Sequence, residues 1–243
     1  MPVALITGGA SWFSREAAKM LLDDGWDIVL TDINEKFLAE VVDALGGAPR
    51  VVGAKLDVVD RLAVKAFVDK LAAERGGIDA LVNVAGGSNW TGIKRLPFHE
   101  TDPDNWDPIL KPNLYGVLNM CHAILPHMIK SRKGSIVSIS SGMGLRGKKR
   151  MSIYSTAKGA IIRFTQAVCQ EVGEYGVRMN CIAPGSAESR WMPDLKAGGD
   201  GMPPLGERTS AKDVANAIVF LLSDKSSHIT GTCMDISGGS SLH

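Results

Sequence analysis

Residues 3 to 14 read Val3-Ala-Leu-Ile-Thr-Gly-Gly-Ala-Ser-Trp-Phe-Ser14. The run Val3–Thr7 is apolar at nearly every position, which predicts a short strand covered on both faces of a sheet. Gly8 and Gly9 then predict a tight turn into a helix. A strand that ends in such a turn presents backbone N–H groups to a pyrophosphate at the start of the helix. The stretch therefore predicts an α/β sheet that binds a dinucleotide.

The rest of the chain repeats this alternation of short apolar runs and longer amphipathic segments. The predicted strands are Val3–Thr7, Asp27–Thr31, Arg50–Asp57, Asp79–Val84, Gly134–Ser140, Val177–Ala183 and Gly231–Ile236. The predicted helices are Arg15–Asp24, Glu35–Leu45, Arg61–Glu74, Asp104–Ile129, Ile153–Glu174 and Ala211–Leu222. Strict alternation implies right-handed crossovers and a doubly wound parallel sheet of seven strands, a Rossmann-like α/β fold. No linker or repeat divides the chain, so residues 1–243 are predicted to form a single domain.

Two connections are longer than a simple crossover needs, namely Gly86–Asp102 and Pro184–Ser210. Both follow the carboxyl ends of predicted strands, which is the edge at which such sheets bind ligands. The second connection contains Gly198-Gly-Asp-Gly201 and, after Pro184, the three prolines Pro193, Pro203 and Pro204. We interpret residues from about 186 to 210 as a mobile lid over a substrate.

The composition narrows the class of partner. A formal net charge of +1, with 22% charged residues, argues against a nucleic-acid or membrane-surface role. No apolar run approaches membrane-spanning length, and the N-terminus lacks the basic and apolar regions of a signal peptide. The four cysteines and the histidines His99, His122 and His127 show no metal-binding spacing, so no metal is expected. Free thiols are typical of a reducing compartment, and we expect a cytoplasmic protein that acts on a small molecule.

Tyr154 and Lys158 are four residues apart, so a helix places them on one face, one turn apart. A phenol is a poor acid near neutral pH, and a nearby ammonium group is expected to lower its pKa. The pair is therefore predicted to exchange a proton with an alcohol or a ketone. Ser141 precedes Tyr154 by 13 residues and is expected to reach the same substrate oxygen. By itself such a pair is typical of a surface, but Tyr115 and Tyr175 lack a lysine at this offset.

Together these features resemble the single-domain type of the short-chain dehydrogenase/reductase (SDR) family over nearly the whole chain. In that family the first turn reads Thr-Gly-x-x-x-Gly-x-Gly, whereas this chain has Trp12 and Ser14 at the second and third glycines. Those glycines allow close approach of the diphosphate and close packing of the helix on the sheet. A side chain at a left-handed position costs about 1–2 kcal/mol. We therefore expect either an outward Trp12 that leaves the cofactor path intact or a partly blocked cofactor site.

The other cofactor motifs of the family are recognisable. Asp32 ends the second predicted strand, where a carboxylate binds the adenosine ribose hydroxyls and repels a 2′-phosphate. Ser11 occupies a position that is often basic in phosphate-binding relatives, so NAD is favoured over NADP, although Arg15 is near enough to reach that corner. The resemblance implies a cofactor site made of Gly8, Ser11, Trp12, Phe13, Asp32, Ile33, Asp57, Val58, Asn83, Ala85, Gly86, Tyr154, Lys158, Pro184, Gly185, Ala187 and Ser189. A helix-capping role for Asp57 and a sheet-bracing role for Asn83 stay open.

The resemblance also implies a catalytic set of Ser141, Tyr154, Lys158 and Asn113. In this set Tyr154 gives or takes the hydroxyl proton, and Ser141 holds the oxygen. Lys158 lowers the tyrosine pKa and binds the nicotinamide ribose, and the Asn113 backbone carbonyl anchors a water beside the lysine. The cofactor supplies the hydride chemistry. The implied activity is that of an NAD-dependent oxidoreductase that interconverts a secondary alcohol and a ketone.

Large apolar residues near the predicted site suggest a cyclic or aromatic substrate, although such residues are as often packing. They are Met143, Leu145, Met151, Trp191, Met192 and Trp90. The loop before Tyr154 carries the basic run Arg146, Lys148, Lys149 and Arg150. We interpret this run as a solvated loop in preference to a patch for a carboxylate, a phosphate or coenzyme A.

Two other functions stay open. The chain is a catalytically impaired binding or assembly protein if Trp12 and Ser14 prevent cofactor binding, but the intact catalytic set argues against this. Epimerisation or dehydration on the same scaffold is the other, although relatives with those activities are typically longer. The family resemblance further implies a homo-oligomer, a tetramer or a dimer, formed through the long predicted helices Asp104–Ile129 and Ile153–Glu174.

Overall fold

A computed structural model describes residues 1–87, 92–187 and 202–241. Seven parallel strands form one sheet in the order β3-β2-β1-β4-β5-β6-β7. The strands are β1 Val3–Thr7, β2 Asp27–Asp32, β3 Val51–Lys55, β4 Ala80–Asn83, β5 Gly134–Ile139, β6 Val177–Pro184 and β7 Cys233–Ile236. The chain winds from β1 toward one edge and then from β4 toward the other, so its direction reverses between β1 and β4. The predicted doubly wound sheet of seven strands is confirmed.

Helices cover both faces of this sheet. In the described ranges they are α1 Trp12–Asp23, α2 Glu35–Ala44, α3 Arg61–Arg75, α4 Asp107–Leu110, α5 Gly116–Ser131, α6 Gly142–Arg146, α7 Ser152–Val172 and α8 Ala211–Leu222. Alternate residues of a strand point to opposite faces. Leu5 and Leu81 therefore pack with α3, α5 and α7 in one core layer, whereas Ile6 and Val82 pack with α1, α2 and α8 in the other.

Short polar side chains determine where the helices begin. The Ser11 hydroxyl accepts hydrogen bonds from the backbone N–H groups two and three positions later, so α1 begins at Trp12 and not at the predicted Arg15. α8 begins with a capping box in which Ser210 and Asp213 each bond to the other's backbone N–H. These bonds satisfy donors that the helix itself leaves without partners.

The segment Asp104–Ile129, predicted as one helix, is wrong as a continuous helix. A 3₁₀ turn at Pro103–Asn105 leads into the short α4, and a π-turn at Lys111–Tyr115 separates α4 from α5. Pro112 lies inside the π-turn, where it has no N–H to donate to a regular helical ladder. Single π-turns are frequent at functional sites, and this one contains Asn113.

The predicted lid, about residues 186–210, falls mostly outside the described residues, which omit 188–201. At its two ends Ala187 pairs with Thr209 in an isolated parallel bridge. The Thr209 hydroxyl also donates to the Ile236 carbonyl at 2.7 Å. Both ends of the segment are therefore held beside the carboxyl ends of β6 and β7.

The described ranges contain neither a membrane-spanning helix nor a cluster of metal ligands. No helix there combines the length and the apolar character that crossing a membrane requires. No three His, Cys, Asp or Glu side chains there converge as a metal site. All four cysteines of the chain are free thiols, three of them buried.

Candidate active site

The carboxyl ends of β1 and β4 are joined by one hydroxyl group. Thr7 and Asn83 are register partners at these two strand ends. The Thr7 hydroxyl accepts hydrogen bonds from the backbone N–H groups of Val84 and Ala85, both at 3.2 Å. These bonds place the two turns that were predicted to border the cofactor next to each other, at the point where the sheet reverses direction.

Gly8 occupies a position that suits only glycine. Its φ is +66°, and a Cβ atom there would lie 2.8 Å from the backbone nitrogen of Ala85. A contact under 3.0 Å is one that real Cβ atoms essentially never make. The first turn therefore packs backbone against backbone, which determines the path by which the chain enters α1.

The structure accommodates both departures from the family's glycines. Ser14 is fully buried, and its hydroxyl donates to the Gly8 carbonyl at 2.8 Å. Trp12 is the first residue of α1, and Phe13 donates its backbone N–H to the Ser11 hydroxyl at 3.1 Å. Neither Trp12 nor Ser14 has a positive φ, so the left-handed strain expected at these positions is wrong. Phe13 packs partly buried against the core.

The Asp32 carboxylate is held at the end of β2 by two backbone donors. Its Oδ2 accepts from the Ala10 N–H at 3.0 Å, and its Oδ1 accepts from the Asn34 N–H at 2.9 Å. The acid that was predicted to bind a ribose therefore also anchors the glycine turn, a role that the sequence did not reveal. Ile33, the next predicted cofactor residue, is 58% exposed.

Asp57 does not cap the helix that follows it. Its carboxylate accepts from the Val59 N–H at 2.9 Å, whereas the cap of α3 is Asp60. The helix-cap interpretation of Asp57 is therefore wrong, and Asp57 closes a local turn instead. Val58 is buried, and its carbonyl accepts from the Asn119 side-chain amide at 2.9 Å, which joins this segment to α5.

Asn83 is buried at the end of β4. Its amide nitrogen donates to the Ser138 hydroxyl at 3.1 Å and contacts the Cys121 sulfur at 3.5 Å. Its amide oxygen is buried and has no partner in the described part of the chain. The two contacts favour the sheet-bracing interpretation of Asn83, because they link β4 to β5 and to α5.

The Asn113 side chain clamps the turn after β4. Its Oδ1 accepts from the Gly87 N–H and its Nδ2 donates to the Gly87 carbonyl, both at 2.8 Å. The same Nδ2 donates to the Ile109 carbonyl at 2.8 Å. Gly86 has φ +131°, and a Cβ there would lie 2.5 Å from the Asn113 Oδ1. The family resemblance had assigned Asn113 a role through its backbone, and this clamp by its side chain was not predicted.

The structure brings Ser141, Tyr154 and Lys158 together. Ser141 is hydrogen-bonded to the Tyr154 phenol, and the Lys158 Nζ lies 5.8 Å from the centroid of the Tyr154 ring. Lys158 is 3% exposed, and its ammonium group donates to the Ile139 carbonyl at 2.8 Å. The neighbouring Ser140 donates to the Lys158 carbonyl at 2.7 Å, so Ser140 is engaged with the backbone of α7.

Burial dominates the pKa values of both titratable groups. It raises the pKa of Tyr154 to about 12, and the hydrogen bond with Ser141 opposes this only in part. Burial also lowers the pKa of Lys158 to about 8. The lowering expected for the tyrosine pKa is therefore wrong in direction, because moving a phenolate out of water costs more than that hydrogen bond returns. The phenol is protonated near neutral pH.

The turn after β6 packs against the C-terminal segment. Pro184 ends β6 and is buried, and the Gly185 N–H donates to a carbonyl of β7 at 3.1 Å. A Cβ on Gly185 would lie 2.9 Å from the Ser237 Cα, so the two segments are in backbone contact. Ala187 follows in the same turn, and Ser189 lies outside the described residues.

A cavity of about 400 Å³ lies beside Tyr154. Its apolar wall includes Ile93, Leu96, Trp106, Ile109, Met151 and Ile153. Trp106 is fixed by stacking on Phe98, with ring centroids 5.4 Å apart, and by donating to the Thr101 hydroxyl at 3.0 Å. Sequence reasoning missed Trp106, although a tryptophan between the polar residues Asn105 and Asp107 was a signal that it contacts something other than solvent.

The predicted apolar substrate residues divide into three groups. Met151 lines the cavity beside Tyr154. Met143 lines a different and smaller recess, and Leu145 packs against the core. The remaining three, Trp90, Trp191 and Met192, lie outside the described residues.

Comparisons with known proteins agree over nearly the whole chain. A family model described as short chain dehydrogenase matches residues 2–198. The 3-oxoacyl-[acyl-carrier-protein] reductase FabG of Thermotoga maritima is 34% identical over 242 residues, which cover 98% of this chain and 96% of that protein. The solved structure of levodione reductase is 28% identical, with a TM-score of 0.91, and the match covers 99% of this chain and 97% of that one. An NAD⁺-bound xylitol dehydrogenase is 27% identical, with a TM-score of 0.88 and 98% of both chains covered.

Proposed function

Because the chain belongs to the short chain dehydrogenase family, we propose that it is an NAD-dependent oxidoreductase that interconverts a secondary alcohol and a ketone. The observation that carries this proposal is the hydrogen-bonded pair of Ser141 and Tyr154, with Lys158 close to the phenol ring and a cavity beside it. We further propose that the substrate is small and cyclic or aromatic.

The described residues fit a nicotinamide dinucleotide. Gly8 and Gly86 both have positive φ and leave no room for a Cβ, so bare backbone borders the turns after β1 and β4. α1 begins directly after the first turn, and the N-terminus of a helix favours a diphosphate. In this proposal the first turn, Gly8–Ser14, holds the diphosphate, Asp32 holds the adenosine ribose, and Lys158 holds the nicotinamide ribose.

The charge of Asp32 supports NAD over NADP. A 2′-phosphate on the adenosine ribose would face this carboxylate, and two negative charges repel at short range. Each carboxylate oxygen of Asp32 accepts one backbone N–H, which leaves lone pairs for ribose hydroxyls. Arg15 is exposed. The similarity to an NAD⁺-bound xylitol dehydrogenase supports the same choice.

The protonation states of the site favour proton donation to a ketone near neutral pH. The nicotinamide, when bound, supplies the hydride chemistry. Burial raises the pKa of Tyr154 to about 12, so its hydroxyl holds the proton that a ketone oxygen must gain. Ser141, already hydrogen-bonded to the phenol, holds the same oxygen. Lys158, whose pKa burial lowers to about 8, is still mostly protonated at neutral pH and stabilises the phenolate left behind.

The apolar wall of the cavity supports a cyclic or aromatic substrate. Trp106 and Met151 contribute large flat or flexible apolar surfaces beside Tyr154. Pockets of this kind gain most of their affinity from apolar contact and their orientation from a few polar groups. Here the polar groups at the reacting end are the hydroxyls of Tyr154 and Ser141, which suit a single carbonyl oxygen.

Tyr154→Phe tests the proposal, because it removes the hydroxyl and keeps the ring. We expect turnover of a panel of cyclic and aromatic ketones, followed by the absorbance of NADH, to fall at least about 100-fold. The dissociation constant of NADH, measured by fluorescence, is expected to change by no more than about twofold. Tyr175→Phe is the matched control, since Tyr175 lies outside the site beside Arg132 and is expected to behave as the wild type. Retained turnover in Tyr154→Phe contradicts the assignment.

A catalytically impaired binding or assembly protein is the second candidate. This candidate depends on Trp12 and Ser14 obstructing the cofactor turn. The Ser14 hydroxyl donates to the Gly8 carbonyl inside the turn, which weakens the argument that Ser14 obstructs it. A saturable NADH signal supports the oxidoreductase, whereas no signal supports the second candidate. Trp12→Gly tests whether the Trp12 side chain obstructs the turn. Tighter NADH binding in that variant means that the indole is an obstruction.

The lid, the cytoplasmic location and the homo-oligomer, a tetramer or a dimer, remain proposals that rest on the sequence and the family resemblance. The mass of the purified protein in light scattering tests the last of these. A monomer at micromolar concentration contradicts it.

A further inference from the structure

A second recess lies on the other side of the reacting residues. Its volume is about 70 Å³, and it is bordered by Ser141 on one side and by Pro184 and Gly185 on the other. Three cationic side chains line it, Arg146, Lys148 and Arg208, and we call it the basic recess. Its remaining polar lining consists of hydroxyl groups, those of Ser141, Ser186, Thr209, Ser237, Ser240 and Ser241.

This lining matches the chemistry of a small anion. Guanidinium and ammonium groups form charge-assisted hydrogen bonds with carboxylate and phosphate oxygens, and arginine does so with two parallel donors. A serine hydroxyl whose proton is not already donated can give one further hydrogen bond to the same oxygens, whereas the Thr209 hydroxyl already donates to the Ile236 carbonyl. Among the described residues that line the recess there is no aspartate and no glutamate. The recess is therefore cationic, and its size suits one compact group.

The framework of the basic recess is fixed by contacts from distant parts of the chain. The Ser241 N–H donates to the Ser237 hydroxyl at 3.1 Å. A Cβ on Gly142 would collide with the Ser241 hydroxyl, so the C-terminal segment packs directly on α6. The Thr209 hydroxyl is held at 2.7 Å from the Ile236 carbonyl. The recess is thus a built part of the fold, with Arg146 and Lys148 on one border and Arg208 on another.

The basic recess adjoins the reacting atoms through a single residue. Ser141 lines the recess and is hydrogen-bonded to Tyr154, which lines the large cavity on the other side. A carbonyl group held by this pair therefore lies between two spaces: the large cavity, which has basic and acidic side chains beside its apolar wall, and the recess, whose described lining holds cations and no acid. The four residues of the basic run lie in different places. Arg146 and Lys148 line the basic recess, and Arg150 lines the large cavity. Lys149 is exposed and lines neither of them.

We propose that the substrate of this enzyme carries a compact anionic group, a carboxylate or a phosphate, that binds in the basic recess while its carbonyl carbon lies at Ser141 and Tyr154. The proposal rests on the proposed oxidoreductase function. For Arg146 and Lys148, this proposal replaces the interpretation of the basic run as a solvated loop. The anion is a recognition group and takes no part in bond breaking.

A matched pair of ketones tests the proposal with the NADH-loaded enzyme. Cyclohexanone is neutral, and 4-oxocyclohexane-1-carboxylate differs from it by one carboxylate. We expect the wild type to prefer the anionic ketone at least about tenfold in kcat/KM. Arg146→Met and Lys148→Met are each expected to remove about tenfold of that preference and to leave the neutral ketone within about twofold.

Lys149→Met is the matched control, because it deletes the same charge from the same loop outside the recess. It is expected to retain the full preference for the anionic ketone. Equal rates for the two ketones, or equal losses in Lys148→Met and Lys149→Met, overturn the proposal.

A binding measurement that needs no turnover keeps the two proposals separate. Inorganic phosphate or acetate is titrated into the enzyme saturated with NAD⁺, so that the cofactor turn is filled, and heat is recorded at two salt concentrations. We expect saturable binding of at least one anion, weakened by salt and by Arg146→Met but not by Lys149→Met. Tighter binding of phosphate identifies a phosphorylated substrate, and tighter binding of acetate identifies a carboxylate. If neither anion binds, the proposal of an anion site in the basic recess is wrong. If an anion binds but no ketone is reduced, only the proposed oxidoreductase function is contradicted.

Discussion

Replacing Lys158 with methionine is expected to stabilise the folded protein while removing its chemistry. Lys158 is 3% exposed and donates one hydrogen bond, to the Ile139 carbonyl. Burial alone accounts for its lowered pKa, and no carboxylate in the described part of the chain compensates the charge. A buried ammonium group without an anionic partner destabilises the fold, and methionine fills a similar volume without a charge.

The magnitude follows from the pKa. A fall from 10.5 to about 8 corresponds to a penalty of about 3 kcal/mol at neutral pH. Methionine leaves the Ile139 carbonyl without its donor, which costs about 1 kcal/mol. Lys158→Met is therefore expected to unfold with a free energy about 2 kcal/mol higher than the wild type at pH 7.

The same pKa determines how this difference changes with pH. Between about pH 8 and 10.5 the unfolded chain holds the lysine proton and the folded chain has lost it, so the contribution of Lys158 to the stability of the wild type rises with pH. Below pH 8 the penalty is complete. From pH 7 to pH 9 the wild type should gain about 1 kcal/mol relative to Lys158→Met. The raised pKa values of Tyr154 and Cys121 give slopes of the opposite sign, but both proteins contain these groups, so the test uses the difference in stability between the two proteins.

Urea unfolding at one protein concentration, at pH 7 and at pH 9, provides the measurement. Lys149→Met is the control, since Lys149 is exposed, and its stability is expected to stay within about 0.5 kcal/mol of the wild type. If Lys158→Met is no more stable than the wild type at pH 7, or if the gap does not narrow by pH 9, Lys158 is not an uncompensated buried cation. The protonation states assigned to the reacting residues then lose their basis.

Three further changes test other parts of the site. Gly86→Ala is expected to lower the melting temperature more than Gly77→Ala. Both glycines have φ above +130°, but only at Gly86 would a Cβ meet the Asn113 amide. Equal effects of the two substitutions contradict the role of the Asn113 clamp. Ser14→Ala is expected to cost about 1 kcal/mol in urea unfolding, since it removes the hydrogen bond to the carbonyl of the first turn. Asp32→Asn is expected to weaken NADH binding about tenfold and to narrow the difference between NADH and NADPH. An unchanged ratio of the two affinities shows that this carboxylate does not select the cofactor.

Elements whose ends depend on local chemistry were predictable from the sequence. Val3–Thr7 is a strand with the predicted bounds, because an apolar run meets a glycine turn. Ala211–Leu222 is a helix with the predicted bounds, because Ser210 provides a cap at its start. The segment Asp104–Ile129 was predicted wrongly, because its apolar periodicity continues past prolines that convert the middle into a π-turn.

Contacts between distant residues were not predictable in the same way. The hydroxyl of Ser14 was expected only to replace a glycine, and its hydrogen bond to the first turn depends on the angle at which α1 leaves the sheet. Arg208 joins Arg146 at one recess across a long stretch of sequence. The sequence identified Lys158 as the neighbour of Tyr154 but could not give the depth of burial, which determines the direction of both pKa shifts.

The double hydrogen bond between the Asn113 amide and Gly87 has a consequence for how such a chain can be altered. Because both backbone groups of Gly87 are anchored, we expect the residues before it to keep their path when the cavity wall is altered. The wall residues between 92 and 106 are therefore the natural place to exchange sequence with another protein of this type. We expect redesign of this wall to change which molecules enter the cavity while Ser141, Tyr154 and Lys158 keep their arrangement.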